Sequence, residues 1–274
     1  MLENYSGATR IIPILGHPIE QVKSPNGLTR AFEARGCDTI VVPLDVTPDF
    51  VKSLLAALDS VGNLGGIIAT VPHKFAAFTH AATATKRARF FGSANILRRD
   101  PDQRWHADML DGLAFIQAIS AARGNIAGSK ALLIGAGGAG SAIGLELLNA
   151  GAATLAVYDT DEVRKTTLLR KLDETHLGKS RIGSTDPTGF DLVVNATPLG
   201  MRPQDPPPLQ LEKLDANMFV GDVVTAPVVT PLLNAATAVG CTTCSGHDLF
   251  KQSVDLMLDF LIDAPSRASR DGGR

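Results

Sequence analysis

The sequence predicts an α/β protein with an N-terminal α/β domain and a second, doubly wound α/β domain. Three observations support this prediction. The chain has 274 residues, more than the roughly 100 to 200 residues of a typical domain. Short β-rich runs alternate with helix-like segments, and the alternation restarts near residue 112. A glycine-rich segment at 131–148 has the spacing of a phosphate-binding loop.

The first third of the chain predicts a mainly parallel sheet covered by helices. Apolar runs rich in β-branched residues are typical of strands and lie at 11–15, 39–44, 66–70 and 93–98. Helical periodicity is present at 28–35, 48–60 and 83–90. Thr47 followed by Pro48 favours a helix start, because proline in the first helical position loses no hydrogen bond that the helix needs.

The rest of the chain repeats this rhythm after a helix at 113–122. The predicted strands are 131–134, 153–158, 191–195, 217–223 and 241–243. The predicted helices are 138–150, 161–174, 230–239 and 247–262, of which the last is apolar on most faces and should pack deeply. Residues 265–274 have no apolar periodicity, so we predict a disordered tail there.

Composition excludes several classes of protein. A charged fraction of 20% and a net charge of -2 are ordinary for a soluble protein and give no basic patch for nucleic acid. The apolar stretch 131–157 is rich in glycine, which fits a strand, turn and helix better than a membrane span. Three cysteines form no framework of spaced pairs, and the N-terminus lacks a secretion signal, so we predict a cytoplasmic protein.

Two of the cysteines, Cys241 and Cys244, have C-x-x-C spacing. No second pair and no histidine cluster accompanies them, so we predict a buried strand there rather than a redox or metal site. We predict no metal ion in this protein.

The glycine segment predicts a dinucleotide cofactor. In a G-x-G-x-x-G loop the first glycine permits the tight turn, the second lets the pyrophosphate approach the backbone, and the third lets helix and strand pack closely. The N–H groups of the following helix then face the phosphates. The residues assigned to this loop are Gly135, Gly137, Gly138, Ala139 and Gly140.

The next predicted strand ends on Asp159, where a carboxylate can accept hydrogen bonds from the adenosine ribose hydroxyls. Asp159, Asp161 and Glu162 would repel an additional 2′-phosphate, which favours NAD over NADP. One alternative stays open: Asp159 caps the following helix and Arg164 holds the phosphate of NADP.

Eight segments in order along the chain carry a family resemblance. They are GHPIEQVKSP (16–25), ATVPHK (69–74), GSANIL (92–97), HADMLDGLAF (106–115), GAGGAG (135–140), NATPLGM (195–201), DVVTAPVVTPLL (222–233) and GHDLFKQ (246–252). With them the chain resembles the shikimate dehydrogenase family, including its quinate/shikimate branch, from about residue 11 to residue 260. The resemblance implies a substrate-binding catalytic domain formed by 1–112 and 246–264, and an NAD(P)-binding Rossmann domain formed by 113–245.

The resemblance also implies an activity and its residues: reversible oxidation of a ring hydroxyl of shikimate, quinate or a close analogue. Lys74 matches the family's catalytic lysine and Asp111 its catalytic aspartate. Hydride transfer from a carbinol carbon to nicotinamide requires that the hydroxyl lose its proton, which a lysine can accept. The implied substrate-binding residues are Ser24, Thr70, Asn95 and Gln252. The implied residues on the cofactor side are Asn195, Thr197, Met201, Val223 and Gly246. The D-T-D at 159–161 resembles the NAD-using branch.

The chain departs from the family pattern at several pocket positions. Gln21-Val22 stands where the family pattern has H-S, and Ile68 stands where the pattern has the asparagine before V-T. Met109-Leu110 stands where the pattern has N-T before the catalytic aspartate, and Thr225 stands where it has a tyrosine. Each change removes or replaces a hydrogen-bonding group, which favours quinate or a less polar relative over shikimate. Alternatively the register is off by one residue, and Gln21 or His106 compensates.

Two rival functions remain at this point. An altered pocket also suits an aminoshikimate-like substrate. A non-catalytic dinucleotide-binding regulator on the same fold is the other rival, although the joint presence of Lys74, Asp111 and Asn95 argues against it. For the leading interpretation we expect a small cyclic hydroxy acid as substrate, NAD with NADP as the alternative, no nucleic-acid or membrane partner, and a monomer or homodimer.

Overall fold

The computed structural model describes residues 5–20, 22 and 24–262. It has the predicted α/β class and divides into two compact units. The N-terminal unit contains the described residues up to Leu110 and those from Val254 onward, and the C-terminal unit is Asp111–Ser253. The assignment of functions to domains at 1–112 with 246–264 and at 113–245 stays a prediction. The predicted tail, 265–274, lies outside the described residues.

The N-terminal unit holds the first six strands and four helices. The strands are β1 (Arg10–Gly16), β2 (Thr39–Asp45), β3 (Ile67–Ala69), β4 (Thr83–Ala84), β5 (Ile96–Arg99) and β6 (Trp105–Asp108). The helices are α1 (Ser24–Ala34), α2 (Val51–Leu58), α3 (Lys74–His80) and α4 (Lys86–Phe91).

These strands form one sheet in the order β2-β1-β3-β5-β6-β4. Strand β1 is parallel to β2 and β3, whereas β5 is antiparallel to both β3 and β6. The carboxyl ends of β1, β3 and β6 therefore lie at the same edge of the sheet as the amino end of β5. That edge, which we call the N-terminal carboxyl edge, collects four loops.

The prediction of a mainly parallel sheet is confirmed, since β5 is the one described strand of this sheet that runs against the other five. Strands β5 and β6 are joined by only five residues, 100–104, and a connection that short can link antiparallel strands but not parallel ones. The turn is closed by the Asp100 N–H, which donates to the Arg104 carbonyl at 2.9 Å. Strand β6 has no counterpart in the sequence prediction, because its four residues, WHAD, alternate too briefly to be recognised.

Three predicted helices of the N-terminal unit have different bounds in the structure, and α1 starts at Ser24 rather than at residue 28. The segment predicted as one helix at 83–90 begins with the short strand β4, and Thr85 then caps α4 by accepting a hydrogen bond from the Ala88 N–H at 3.3 Å. Helix α2 starts at Val51 rather than at Pro48. Helix α3 was not predicted, because seven residues give too little periodicity.

The core of the N-terminal unit joins its sheet to the end of the chain. Its apolar cluster consists of Ile12, Ile14, Leu28, Phe32, Val41, Ile68, Ile96, Leu110, Leu258 and Leu261. Leu258 and Leu261 belong to α9 (Gly246–Ile262), the last helix. This helix begins in the C-terminal unit and ends in the N-terminal one.

The C-terminal unit holds six further strands. They are β7 (Lys130–Ile134), β8 (Thr154–Tyr158), β9 (Ser180–Ile182), β10 (Leu192–Asn195), β11 (Phe219–Asp222) and β12 (Thr242–Cys244). Its helices are α5 (Asp111–Ala121), α6 (Gly138–Asn149), α7 (Glu162–Thr175), α8 (Pro231–Val239) and the start of α9, with a short 3-10 helix at Leu211–Lys213.

All six strands of the C-terminal unit pair in parallel, in the order β12-β11-β10-β7-β8-β9. Counted from β7, this is the 3-2-1-4-5-6 order of the Rossmann fold, and the strand order reverses between β7 and β10. The edge strand β9 was not predicted, because its residues are polar or exposed. Among the helices that the structure describes, none has the length and apolarity to cross a bilayer.

Candidate active site

The loops after β1 and β3 are tied together at the N-terminal carboxyl edge. The Thr70 N–H donates to the Leu15 carbonyl at 2.9 Å, and the His17 N–H donates to the Val71 carbonyl at 3.1 Å. A Cβ added to Gly16 would lie 2.6 Å from the Thr70 methyl carbon, so only glycine allows this approach. Ser24 lies nearby in the sequence as the first residue of α1.

Lys74 lies at this edge as the first residue of α3, half-buried. Its carbonyl accepts a hydrogen bond from the Ala94 N–H at 2.9 Å, which fixes the helix start beside the loop that carries Asn95. The preceding His73 is 2% exposed, and its Nε2 donates to the Val46 carbonyl at 2.6 Å. His73 therefore anchors the loop through a buried bond, and Lys74 follows it at a fixed position.

Asn95 connects three strands of the N-terminal unit. It is 2% exposed, and its Oδ1 accepts a hydrogen bond from the Leu110 N–H at 2.9 Å. Its backbone N–H donates to Asp108, and its carbonyl accepts from the Ala69 N–H. Asn95 thus fixes the chain at Leu110, directly before Asp111, and the predicted residues Thr70, Lys74 and Asn95 share one set of loops.

An ion pair between buried Asp108 and partly exposed Arg87 at the same edge was missed by the sequence prediction. Asp108 is 2% exposed and accepts hydrogen bonds from Arg87 Nε at 2.8 Å and Arg87 Nη2 at 2.6 Å. The Thr85 hydroxyl donates to the same carboxylate at 2.6 Å. A bidentate arginine contact is geometrically specific, so the pair fixes the exit of β6. The available signal was an acid at a strand end, but nothing in the sequence joins it to Arg87.

In the C-terminal unit the glycine loop follows β7 at the point where the strand order reverses. Gly135 has a φ of 104°, and its N–H donates to the Tyr158 carbonyl at 2.7 Å. A Cβ on Gly135 would lie 2.8 Å from the Thr197 methyl carbon, and one on Gly140 would collide with the Gly135 carbonyl oxygen. These two glycines therefore allow the strand, the helix and the loop after β10 to pack closely.

Gly137 and Gly138 differ from those two glycines because they face open space. A Cβ added at either position would meet no atom within 4 Å. Gly137 has extended backbone and precedes α6, whose first N–H groups have no partner within the helix. The space over these glycines and the helix N-terminus suit a pyrophosphate, so the residues present fit a dinucleotide. Ala139 lies half-buried in the first turn of α6.

Asp159 follows β8 and contacts the glycine loop directly. Its Oδ2 accepts a hydrogen bond from the Ala136 N–H at 2.6 Å, and its Oδ1 accepts one from the Asp161 N–H at 2.8 Å. The cap of α7 is Asp161, whose Oδ1 accepts from the N–H groups of Val163 and Arg164. The alternative in which Asp159 caps this helix is therefore wrong, because Asp161 occupies that position.

A buried polar network supports the loop after β10. Asn195 is fully buried, and its Nδ2 donates to the Leu199 carbonyl at 3.1 Å and to Asp222 Oδ1 at 3.0 Å. Its Oδ1 accepts from the N–H and hydroxyl of Thr197 at 3.1 and 2.7 Å. Asn195 thus holds Thr197, which lies against Gly135, in place.

Asp222 belongs to the same network and, unlike Asn195, was missed by the sequence prediction. It is fully buried and accepts hydrogen bonds from Asn195, from the Val224 N–H at 3.1 Å and from the Thr230 hydroxyl at 2.7 Å. Burial raises the pKa of Asp222, although these hydrogen bonds oppose the shift. The signal available in the sequence was an acidic residue at the end of a strand, upstream of Thr230-Pro231.

The remaining predicted residues of the C-terminal unit lie on separate elements. Val223 donates its N–H to the Asn195 carbonyl at 3.0 Å, and a Cβ on Gly246 would collide with the carbonyl oxygen of Val224. Met201 is 47% exposed on the loop after β10. The last two, Asp111 at the start of α5 and Gln252 in α9, are half-buried.

The cysteine pair has the chemistry of buried thiols. Burial raises the pKa of Cys244 to about 12 and also raises that of Cys241, whose Sγ donates to the Asp215 carbonyl at 3.1 Å. Both thiols therefore stay protonated near neutral pH. Within residues 5–20, 22 and 24–262, no three His, Cys, Asp or Glu side chains are grouped as metal ligands.

A family model and two curated relatives match this chain to the same family of proteins. Residues 14–97 match the family model described as the shikimate dehydrogenase substrate binding domain. The shikimate dehydrogenase (NADP(+)) of Rhodospirillum rubrum is 34% identical over 248 residues, which cover 88% of this chain and 87% of the relative. The enzyme of the same name from Acidiphilium cryptum is 34% identical and covers 88% and 86%.

A solved structure shares the fold. The shikimate 5-dehydrogenase of Listeria monocytogenes, determined in complex with shikimate and NAD, superposes with a TM-score of 0.88 at 22% identity. The superposition covers 96% of this chain and 95% of that one. This chain therefore shares its α/β fold with that structure.

Proposed function

The chain belongs to the shikimate dehydrogenase family, and we propose that it catalyses the NAD-dependent, reversible oxidation of a ring secondary hydroxyl to the ketone. The substrate is shikimate, quinate or a close analogue. The relatives support an alcohol dehydrogenase of the shikimate/quinate type. The choice of substrate within that type and the preference for NAD are proposed on this chain's own residues.

The observation that carries the proposal is the pair of glycine environments in the loop after β7. Gly135 and Gly140 face protein atoms that no Cβ could approach, whereas Gly137 and Gly138 face space with no atom within 4 Å. A loop selected for packing alone would fill that space with side chains. The loop also lies where the strand order reverses, which is where ligands bind in open α/β sheets.

Lys74 is proposed as the general acid/base and Asp111 as its partner. A bound nicotinamide supplies the hydride acceptor. As the hydride leaves the carbinol carbon, Lys74 Nζ accepts the hydroxyl proton, and it returns that proton in the reverse direction. Asp111 orients the ammonium group and can accept a hydrogen bond from a neighbouring hydroxyl. Thr70, Asn95, Ser24 and Gln252 are proposed to hold the substrate.

On the cofactor side, Gly135, Gly137, Gly138, Ala139 and Gly140 are proposed to accommodate the pyrophosphate. Asp159 and Asp161 flank the ribose, and the proposed nicotinamide-side residues are Asn195, Thr197, Met201, Val223 and Gly246. The buried network argues that Asn195 acts by positioning Thr197, because its side-chain oxygen and nitrogen are both bonded within the protein.

The preference for NAD rests on the charges around Asp159. Its carboxylate is held in the glycine loop by the Ala136 N–H, so it stays beside the ribose position. Arg164, the cation that could attract a 2′-phosphate, pairs with Asp161 at 3.2 Å. The curated relatives above are named for NADP(+), so the acidic D-T-D of this chain is the basis for proposing the other cofactor.

The test is a matrix of initial rates at the reduced-nicotinamide absorbance band. Shikimate, quinate and an aminoshikimate are each assayed with NAD and with NADP. We expect the cofactor to be reduced when a ring hydroxy acid is the substrate, and kcat/KM to be higher with NAD than with NADP. Turnover of the amino analogue alone would favour the aminoshikimate alternative. NAD binding by calorimetry without turnover of any substrate would instead favour the regulator.

A further inference from the structure

Three positions where the family pattern has polar side chains carry apolar residues here: Val22, Ile68 and Leu110. Ile68 and Leu110 belong to the apolar cluster of the N-terminal unit, and Val22 packs against that cluster. Ile68 and Leu110 are 5% and 3% exposed, and Val22 is partly buried. We call Val22, Ile68 and Leu110 the apolar wall. Three separate segments have thus changed in the same chemical direction at one cluster.

The apolar wall lies next to the residues proposed to bind substrate. Ile68 and Thr70 lie two residues apart along an extended segment, so their side chains point to the same face of the sheet. Asn95 Oδ1 accepts its hydrogen bond from the N–H of Leu110 itself. Val22 precedes Ser24 by two residues. Each member of the wall is therefore close, in space or along the chain, to one polar member of the site.

The neighbouring side chains extend this apolar character towards the end of the strands. Ile68 pairs in register with Ile14 of β1 and with Ile96 of β5. A Cβ added to Gly16 would lie 2.7 Å from Ile19 Cδ1, so Ile19 also packs beside Thr70. The cluster next to Thr70 thus consists of aliphatic groups, which can neither donate nor accept a hydrogen bond.

A substrate hydroxyl placed against such a wall loses its hydrogen bonds to water and gains none. Apolar pockets reject an added hydroxyl by about 100-fold. A ring carbon that carries only hydrogen avoids that penalty. Resting on the proposed function, we infer that the substrate is a ring alcohol with a single hydroxyl at the reacting carbon, a carboxylate, and an otherwise unsubstituted ring edge that packs on the apolar wall.

The first experiment compares two substrates with the unaltered enzyme. Shikimate has three ring hydroxyls, and 3-hydroxycyclohex-1-ene-1-carboxylate is the same ring acid with one. We expect kcat/KM to be at least tenfold higher for the monohydroxy acid, mainly through a lower KM. Equal values, or a preference for shikimate, would overturn the inference and leave the proposed function intact. No turnover of any ring hydroxy acid with NAD or NADP would overturn both.

The second experiment returns polarity to the wall. Leu110→Thr restores the residue of the family pattern, and Ile68→Thr places a hydroxyl beside Thr70. Each variant should lower the ratio of kcat/KM for the monohydroxy acid to kcat/KM for shikimate by about tenfold or more. Ile12→Thr is the matched control, because Ile12 belongs to the same cluster but lies two residues further from the end of β1 than Ile14.

The control should leave the ratio of the two kcat/KM values within about twofold of the unaltered enzyme, even if it lowers the melting temperature. An equal change of the ratio in all three variants would identify general destabilisation and contradict the inference. If neither wall variant folds, the substrate comparison with the unaltered enzyme still decides it.

Discussion

The carboxyl edges of the two sheets are built from different parts of the chain. At the carboxyl edge of the C-terminal sheet the geometry is set by backbone: two glycines pack closely, two leave space, and the Ala136 N–H donates to Asp159. At the N-terminal carboxyl edge the chemistry is set by side chains from four loops, and one strand runs in the opposite direction. A backbone site tolerates little change, whereas a side-chain site can keep its reaction and change its substrate.

The largest expected effect tests the side-chain site. Lys74→Ala should lower kcat by about 10²- to 10⁴-fold, the usual contribution of a general acid/base. The affinity for NAD should not change, because the cofactor loop belongs to the other unit. Steady-state kinetics and calorimetric titration measure the two quantities. Lys52→Ala, on the exposed face of α2, is the control, and a Lys74→Ala enzyme with near-normal turnover would contradict the role.

The next effect tests the backbone site. Gly137→Ala should weaken NAD binding by about 10- to 100-fold, because the methyl group occupies the approach of the pyrophosphate. Its φ of -71° and ψ of -169° are open to alanine, so the melting temperature should stay within about 3 °C. Gly140→Ala should instead lower the melting temperature, since its Cβ collides with Gly135. An unaltered NAD affinity in Gly137→Ala would refute the proposal that the space over this glycine accommodates the pyrophosphate.

A smaller effect concerns the choice of cofactor. Asp159→Asn removes the negative charge beside the ribose and should raise the ratio of kcat/KM with NADP to that with NAD about tenfold. Arg164→Ala should change the same ratio by less than about twofold, because its guanidinium pairs with Asp161 in solvent. The opposite ranking of the two variants would support the interpretation in which Arg164 holds a 2′-phosphate.

The smallest effect is on stability and involves Asp222. Burial raises the pKa of Asp222 above its ordinary value of 3.8, so the folded protein holds this proton more tightly than the unfolded chain. Its contribution to stability is therefore greatest below that value and is lost as the pH rises through the folded pKa. Asp222→Asn cannot titrate, so its melting temperature should fall less than that of the parent between about pH 4 and pH 7. Parallel plots of melting temperature against pH for Asp222→Asn and the parent would contradict this expectation.

The sequence predicted the C-terminal unit better than the N-terminal one, for a physical reason. The glycine spacing, the acid after β8 and the strand-helix rhythm are local patterns, so Gly135 and Asp159 could be placed from short segments. The pairing of Asp108 with Arg87 and that of Asn195 with Asp222 join residues 21 and 27 positions apart. No local pattern specifies such a partner, and the direction of β5 depends on a five-residue turn.

The resemblance to the family located Lys74, Thr70 and Asn95 but could not describe how the altered positions pack. Val22, Ile68 and Leu110 looked like three independent losses of hydrogen-bonding groups in the sequence. Only the fold brings them together, with Ile68 and Leu110 in one cluster and Val22 packed against it, because β3 and the segments after β1 and β6 meet through strand order and not through sequence proximity.

The path of α9 has a consequence for synthesis of the chain on the ribosome. Leu258 and Leu261, which belong to the core of the N-terminal unit, emerge after the whole of the C-terminal unit. The C-terminal unit is continuous from Asp111 to Ser253 and is finished earlier. We therefore expect the second unit to become protease-resistant first in ribosome-bound chains of increasing length. Vectorial synthesis would then reverse the order of folding relative to the order of the sequence.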